Sequence, residues 1–104
     1  MSGTHAKICI LGATGTIGMN TLDVIKRHPE SYRAFALSAN TDVDRMTALC
    51  EEYQPHFAVM ADEAAADKLA GYLKTAGLET TVLTGQEGLE LIASHPEVDS
   101  VMAA

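Results

Sequence analysis

The tightest constraint on this chain is the turn Gly12-Ala13-Thr14-Gly15-Thr16-Ile17-Gly18, set between an apolar run and an amphipathic stretch. The run, Lys7-Ile8-Cys9-Ile10-Leu11, reads as a parallel strand buried on both faces. From about Thr16 to His28 the period is helical, with Ile17, Thr21, Val24, Ile25 and His28 on one face, and Pro29 stops it. A bare glycine triplet says little. One that closes a buried strand and opens a helix is a dinucleotide fingerprint. Gly12 permits the tight turn, Gly15 lets the backbone approach a pyrophosphate with no Cβ in the way, and Gly18 lets the helix pack closely on the strand. The first N–H groups of the helix and its dipole face the phosphates, and Thr14 and Thr16 add hydroxyl donors. The bland alternative is a turn that uses glycine for geometry alone.

The same alternation continues down the chain. Arg33–Ser38 is a second strand; Thr41 or Asp42 caps a helix whose stripe is Val43, Met46, Leu49, Cys50 and Tyr53, ended by Pro55. Phe57–Ala61 is a third strand. Asp62 caps an alanine-rich helix with Ala66, Leu69, Ala70 and Leu73 on its inner face and Gly77 at its C′ position. Thr80–Leu83 is a fourth strand, and Thr84-Gly85-Gln86-Glu87 has capping-box spacing before a helix that runs to about His95. Asp99–Ala104 is a fifth strand. The methionines and tyrosines read as scattered core residues. The class is α/β: a Rossmann-type open parallel sheet of about five strands with helices on both faces. The expected strand order runs fourth, third, second, first, fifth, because the small residues of Met102-Ala103-Ala104 suit a strand beside the first at the switch point. The order 3-2-1-4-5 is the alternative. Ligands of such sheets bind at the carboxyl ends of the strands, here Gly12, Ser38, Ala61, Thr84 and Ala104.

Charge excludes several partners. Seven basic against 14 acidic residues leave a net charge of −7, so a general nucleic-acid footprint, which needs a basic face, is not expected. Any phosphate must be held locally, by backbone N–H groups. No stretch approaches the roughly 18 apolar residues of a membrane span, and the polar start Met1–Lys7 is no secretory signal. Cys9 and Cys50 have no metal-ligand spacing and read as buried thiols of a cytoplasmic protein. The paired helix stops His28-Pro29-Glu30 and His95-Pro96-Glu97 read as histidines at negative helix ends rather than as ligands. His5 and His56 have no visible partner. No metal cluster and no nucleophile–base pair is spelled out.

The second strand addresses which nucleotide is held. NAD-preferring sites place an acid after it for the ribose 2′-OH. This chain has Ser38-Ala39-Asn40-Thr41, small polar groups that leave room for a 2′-phosphate, so NADP is favoured. Asp42 reads as a helix cap pointing elsewhere, with Arg45 compensating its charge.

Beyond the glycine turn come Asn20-Thr21-Leu22-Asp23-Val24-Ile25, His28-Pro29, Ala36-Leu37-Ser38-Ala39, Ala58-Val59-Met60-Ala61-Asp62-Glu63-Ala64 and Val101-Met102-Ala103-Ala104. In that order and spacing the whole chain closely resembles the N-terminal NADPH-binding domain of the 1-deoxy-D-xylulose 5-phosphate reductoisomerases. The resemblance implies an oxidoreductase and isomerase of non-mevalonate isoprenoid biosynthesis, in which 1-deoxy-D-xylulose 5-phosphate is rearranged and reduced to 2-C-methyl-D-erythritol 4-phosphate. It implies NADPH as cofactor, Mg²⁺ or Mn²⁺ in the parent enzyme only, and a cytoplasmic homodimeric parent. By the same resemblance Gly12, Thr14, Gly15, Thr16 and Ile17 form the phosphate turn, and Asn40 and Thr41 meet the 2′-phosphate. The family often has glycine, a basic residue and asparagine where this chain has Asn40-Thr41-Asp42, so Asp42 is not counted in the site.

In the family the strand ending at Ala104 leads on to the metal ligands, the substrate-phosphate site, a lid and a C-terminal domain. Residues 1–104 are therefore expected to be one NADPH-binding domain, truncated by engineering or proteolysis, without catalytic residues and inactive alone. Val101 and Met102 are expected to leave apolar surface exposed and to promote self-association. A free-standing NADP-binding module or regulatory subunit is the alternative, and a semialdehyde dehydrogenase fragment fits the later segments less well.

Overall fold

A computed structural model of the chain describes residues 5–103; Met1–Thr4 and Ala104, and the expectations resting on them, lie outside the described residues. Strands β1 (Ala6–Leu11), β2 (Tyr32–Ala39), β3 (Phe57–Met60), β4 (Thr81–Thr84) and β5 (Ser100–Ala103) alternate with helices α1 (Thr16–Arg27), α2 (Val43–Tyr53), α3 (Glu63–Thr75) and α4 (Gly85–Ala93). All strand pairs are parallel, and the order is β4-β3-β2-β1-β5, as the small residues of the fifth strand suggested. Val101 pairs with Cys9. The chain walks outward from β1 to β4, then crosses back to β5 on the other side of β1. That reversal makes β1/β5 the switch point.

The reversal also sorts the helices. Leu22 and Ile25 of α1, Met46 and Leu49 of α2 and Leu69 and Leu73 of α3 share one core with Ile8, Ile10 and Leu37. Ile92 of α4 packs on the opposite face with Cys9, Phe35, Ala36 and Val59. Strand β1 is thus buried from both sides, by its alternate residues. In β2 the alternation breaks. The register shifts between Ile8 and Cys9, which pair with Ala34 and Ala36, so Phe35 is an extra residue. Phe35 and Ala36 both face α4, while Leu37 returns to the larger core.

Helix ends follow side-chain chemistry in most places. Asp42 accepts from the Arg45 N–H at 3.1 Å and Asp62 from the Ala65 N–H at 2.9 Å. At the end of α3, Leu78 N–H donates to the Leu73 carbonyl and Gly77 N–H to that of Lys74, a Schellman closure. The capping box expected at Thr84–Glu87 is not formed. Thr84 is the N-cap residue but makes no side-chain cap bond, because Gly85 turns the chain at φ +70° directly after it.

The inner face of α1 also needs correction. It is Gly18, Leu22 and Ile25, while Ile17 is 59% and Val24 50% exposed and His28 lies in solvent. Gly18 sits so close to the turn that an added Cβ would lie 2.3 Å from the Gly12 carbonyl oxygen and 2.7 Å from Ala13 Cα. The helix therefore rests on its glycine, and its large neighbours are carried outward. Ala70 is exposed beside buried Ala66 and Leu69; Tyr32, at the start of β2, and Tyr72, on the outer face of α3, are surface rather than core residues, and Met102 is exposed like every residue of the edge strand β5. On β5, Val101 is 41% and Met102 44% exposed.

The first and last strands are also joined at their beginnings. Lys7 N–H donates to Asp99 Oδ2 at 2.7 Å, Asp99 N–H to the Lys7 carbonyl, and Lys7 Nζ to Glu97 Oε1 at 2.6 Å.

Two substitutions test the packing of α1. Gly18→Ala is expected to cost about 1–3 kcal/mol in urea unfolding, the usual cost of overpacking. Gly71→Ala, with nothing within 4 Å of the added Cβ, is expected to stabilise by about 0.5–1 kcal/mol. Both thiols are free and buried, which pushes Cys9 up to about 11 and Cys50 to about 12, the latter with help from the Glu51 charge. A raised thiol pKa stabilises the fold below the ordinary value of about 8.5, and this contribution is lost as pH climbs through the folded values. Thiol-reagent titration at pH 8 is expected to show neither cysteine reacting until urea unfolds the chain.

Candidate dinucleotide-binding site

The site is built from the end of β1. Gly12 takes φ +79°, which a residue with a Cβ rarely adopts. The chain then reverses, with Gly15 N–H donating to the Gly12 carbonyl at 3.1 Å. The turn is pinned to β2. Ala13 N–H donates to the Ser38 carbonyl at 2.7 Å, and Gly12 N–H to Ser38 Oγ at 3.0 Å. Ser38 is the one buried polar side chain among the described residues. The extra residue at Phe35 puts it there: without that shift of phase, Ser38 would face the α1–α3 core.

Helix α1 opens on Gly15, which has no side chain to cap it, and the first intrahelical bond is Met19 N–H to the Gly15 carbonyl at 2.9 Å. The N–H groups of Thr16, Ile17 and Gly18 thus have no intrahelical acceptor. Helices α2 and α3 start at the same end of the sheet but carry Asp caps and Asp44 or Glu63 in their first turns. The first turn of α1 has no acid. Its donors and its positive dipole end are left for an anion.

Gly15 is the informative glycine. Its φ is −83°, ordinary for any residue, and an added Cβ would meet only the Gly12 carbonyl oxygen, at 3.5 Å. The fold does not require glycine there. Geometry alone explains Gly12 and Gly18; it does not explain Gly15.

These groups form one wall of an open cleft of about 790 Å³ at the carboxyl ends of β1, β2 and β3. Leu11, Gly12, Thr14, Gly15, Thr16 and Ile17 line it, with Ser38, Ala39 and Asn40 after β2 and Ala61 after β3. The exposure of Ile17 is exposure towards this cleft. Thr41, the residue after Asn40, is exposed and does not line it. Sequence reasoning missed the opposite wall: Gln86, Leu89, Glu90 and Ala93 of α4. Only a strand order that returns α4 over β1 brings them there.

Asp42 faces its own helix, as its capping bond shows. Arg45 reaches from α2 towards the turn, with Nη1 3.4 Å from the Thr14 carbonyl oxygen and Nε 3.8 Å from Asp42 Oδ2. The histidines lie elsewhere. His28 is the C-cap of α1, whereas His95 packs 5.1 Å and His56 5.2 Å from Phe35, ring centre to ring centre, near the starts of the strands. Among the described residues no three His, Cys, Asp or Glu side chains come together as a metal site, and no helix is long and apolar enough to cross a membrane.

The sheet order, the glycine turn at its switch point and the uncapped helix behind it define a Rossmann-type α/β domain. The chain belongs to the 1-deoxy-D-xylulose 5-phosphate reductoisomerase family, whose model matches residues 8–104. The reductoisomerase of Methylobacillus flagellatus is 59% identical over 97 residues, covering 93% of this chain and 24% of its own. That of Dechloromonas aromatica is 50% identical over 104 residues, covering 100% of this chain and 26% of its own. The chain therefore spans about a quarter of the length of the curated relatives it matches. A crystal structure of DOX-P reductoisomerase in complex with NADPH, fosmidomycin and magnesium superposes with a TM-score of 0.87 at 41% identity, over 91% of this chain and 23% of that one. The Zymomonas mobilis enzyme in complex with NADPH gives 0.81 at 32% identity, over 88% and 24%.

Ser38 ties the turn to the sheet, so its loss is measurable without any ligand. Ser38→Ala leaves the Gly12 N–H without its acceptor and is expected to cost about 1–3 kcal/mol in chemical unfolding. Ser38→Thr, which keeps the oxygen, is expected to restore part of it.

Proposed function

We propose that residues 1–104 form the NADPH-binding domain of a 1-deoxy-D-xylulose 5-phosphate reductoisomerase. The observation that carries this is Gly15: a glycine that the fold does not need, at an uncapped helix start, in a domain 41% identical to one solved with NADPH. Its bare Cα leaves the approach to the Thr16 and Ile17 N–H groups open. Those groups and the Thr14 and Thr16 hydroxyls hold the pyrophosphate, with Gly12 setting the turn. Asn40, and Thr41 at the rim, meet the adenosine 2′-phosphate. Ala39 and Asn40 bring no carboxylate to claim a ribose 2′-OH, and Asp42 is turned to cap α2, which favours NADPH over NADH.

The reaction itself belongs to the longer proteins. There, bound NADPH would supply a hydride to the aldehyde formed when 1-deoxy-D-xylulose 5-phosphate rearranges, giving 2-C-methyl-D-erythritol 4-phosphate. The residues described here do not suit Mg²⁺ or Mn²⁺, which need oxygen ligands gathered at one point, and no step is assigned to a metal on this chain. This domain's part is to bind and orient the nucleotide. Alone it is inactive; the active parent is a cytoplasmic homodimer, with no nucleic-acid or membrane partner.

Fluorescence titration tests the reading. The chain is expected to bind NADPH at least about tenfold more tightly than NADH. Gly15→Val is expected to abolish binding with little change in unfolding midpoint, because the added side chain meets the ligand rather than the protein. With 1-deoxy-D-xylulose 5-phosphate and Mg²⁺ present, no NADPH oxidation is expected from these residues alone. Equal affinities for NADPH and NADH, or turnover by a preparation of verified mass, would overturn the respective statements.

A further inference from the structure

We propose that Arg45 decides between NADPH and NADH in this chain: its guanidinium takes the adenosine 2′-phosphate beside Asn40 and keeps Asp42 from repelling it. This rests on the NADPH reading above and adds the group that reads the phosphate.

The cleft has no cation of its own. Glu90 is the one charged side chain that lines it, and the whole chain carries −7. A phosphate on the adenosine ribose adds up to two negative charges to a site already unfavourable for them. Backbone donors at the glycine turn are committed to the pyrophosphate, so the second phosphate needs a separate positive group. Few basic residues are placed to supply it. Lys7 and Arg33 stand at or near the starts of β1 and β2; Lys26, Arg27 and Lys74 lie in the last turns of α1 and α3, and Lys68 midway along α3. Arg45 alone lies in the first turn of a helix that begins at the carboxyl end of a strand.

The local geometry favours the role. Arg45 bends away from α2 to the Thr14 carbonyl, next to the cleft mouth where Asn40 stands. That contact is long, at 3.4 Å, and the side chain is 54% exposed, so exchanging a carbonyl for a phosphate costs little. Asp42 is already engaged. Its Oδ1 accepts the Arg45 N–H and its Oδ2 lies 3.8 Å from Arg45 Nε, while Nη1 is directed to the Thr14 carbonyl. One arginine thus neutralises its neighbouring acid through Nε while its terminal nitrogens stay available as a fork for phosphate oxygens. Thr41 and Asp42, which bring no base to the tip of β2, are compensated one helical turn later.

The experiment measures dissociation constants of NADPH, NADH and adenosine 2′-monophosphate on the wild-type chain and on R45M, R45K, D42N and R45M/D42N, each with its thermal melt. R45M is expected to weaken NADPH and adenosine 2′-monophosphate by about ten- to a hundredfold, the range for hydrogen bonds to a charged group, and to leave NADH unchanged. R45K restores part of the loss. D42N tightens NADPH more in the R45M background than in the wild type, since Arg45 no longer screens the acid. If R45M weakens NADPH and NADH by the same factor, or leaves the wild-type preference intact, Arg45 is not the discriminating group and the inference falls while the NADPH reading stands. If the wild-type chain binds neither nucleotide, both fall.

Discussion

The architecture depends on one close approach, that of Gly18 to the Gly12–Ala13 peptide. With room for a hydrogen and no more, α1 lies against the end of β1 rather than above it. That contact fixes which way α1 faces and brings its first turn to the switch point. A helix held off by even one methyl would carry its free N–H groups away from the cleft. Close packing of α1 on the sheet and the placing of its first turn at the cleft are therefore set by the same three residues.

Much of this was legible in the chain. Apolar runs and helical periods mark all nine elements among the described residues, Asp62 announces its cap and Asp42 proves to be the one of the two candidates, Thr41 and Asp42, that caps α2, and small residues at the end of β5 placed it beside β1. The two failures that matter most share a cause. Hydrophobic periodicity counts large side chains, so it gave Ile17 and Val24 the inner face of α1 when the helix rests on a glycine. It also assumes that a strand keeps its phase, and β2 does not: the extra residue at Phe35 sends Ser38 to the turn. The glycine turn, contiguous in sequence, could be read directly; the α4 wall of the cleft is remote in sequence and follows only from topology.

If this acidic domain binds NADPH as proposed, the mismatch between its charge of −7 and a polyanionic ligand becomes a source of selectivity. Its surface repels phosphates at long range, over a Debye length of roughly 8 Å in physiological salt. In the proposed site, attraction is confined to the uncapped start of α1 and to Arg45 at the rim. Under that reading, anions that cannot reach these donors together would meet only repulsion, and adventitious binding of small phosphates would be suppressed.

The pairing of β1 with β5 bears on the order in which the molecule assembles. Strands β1 to β4 each pair with the strand before or after them across a single helical crossover, whereas the Lys7–Asp99 clasp joins residues 92 apart. Loop-closure entropy makes the short crossovers the cheaper contacts to form first. On that ground β5 is expected to dock last, onto an edge of β1 that the rest of the sheet has already shaped. The β1–β5 pairing, beside the glycine turn, is thus expected to be the last part of the sheet to be completed and the first to open when the fold loosens.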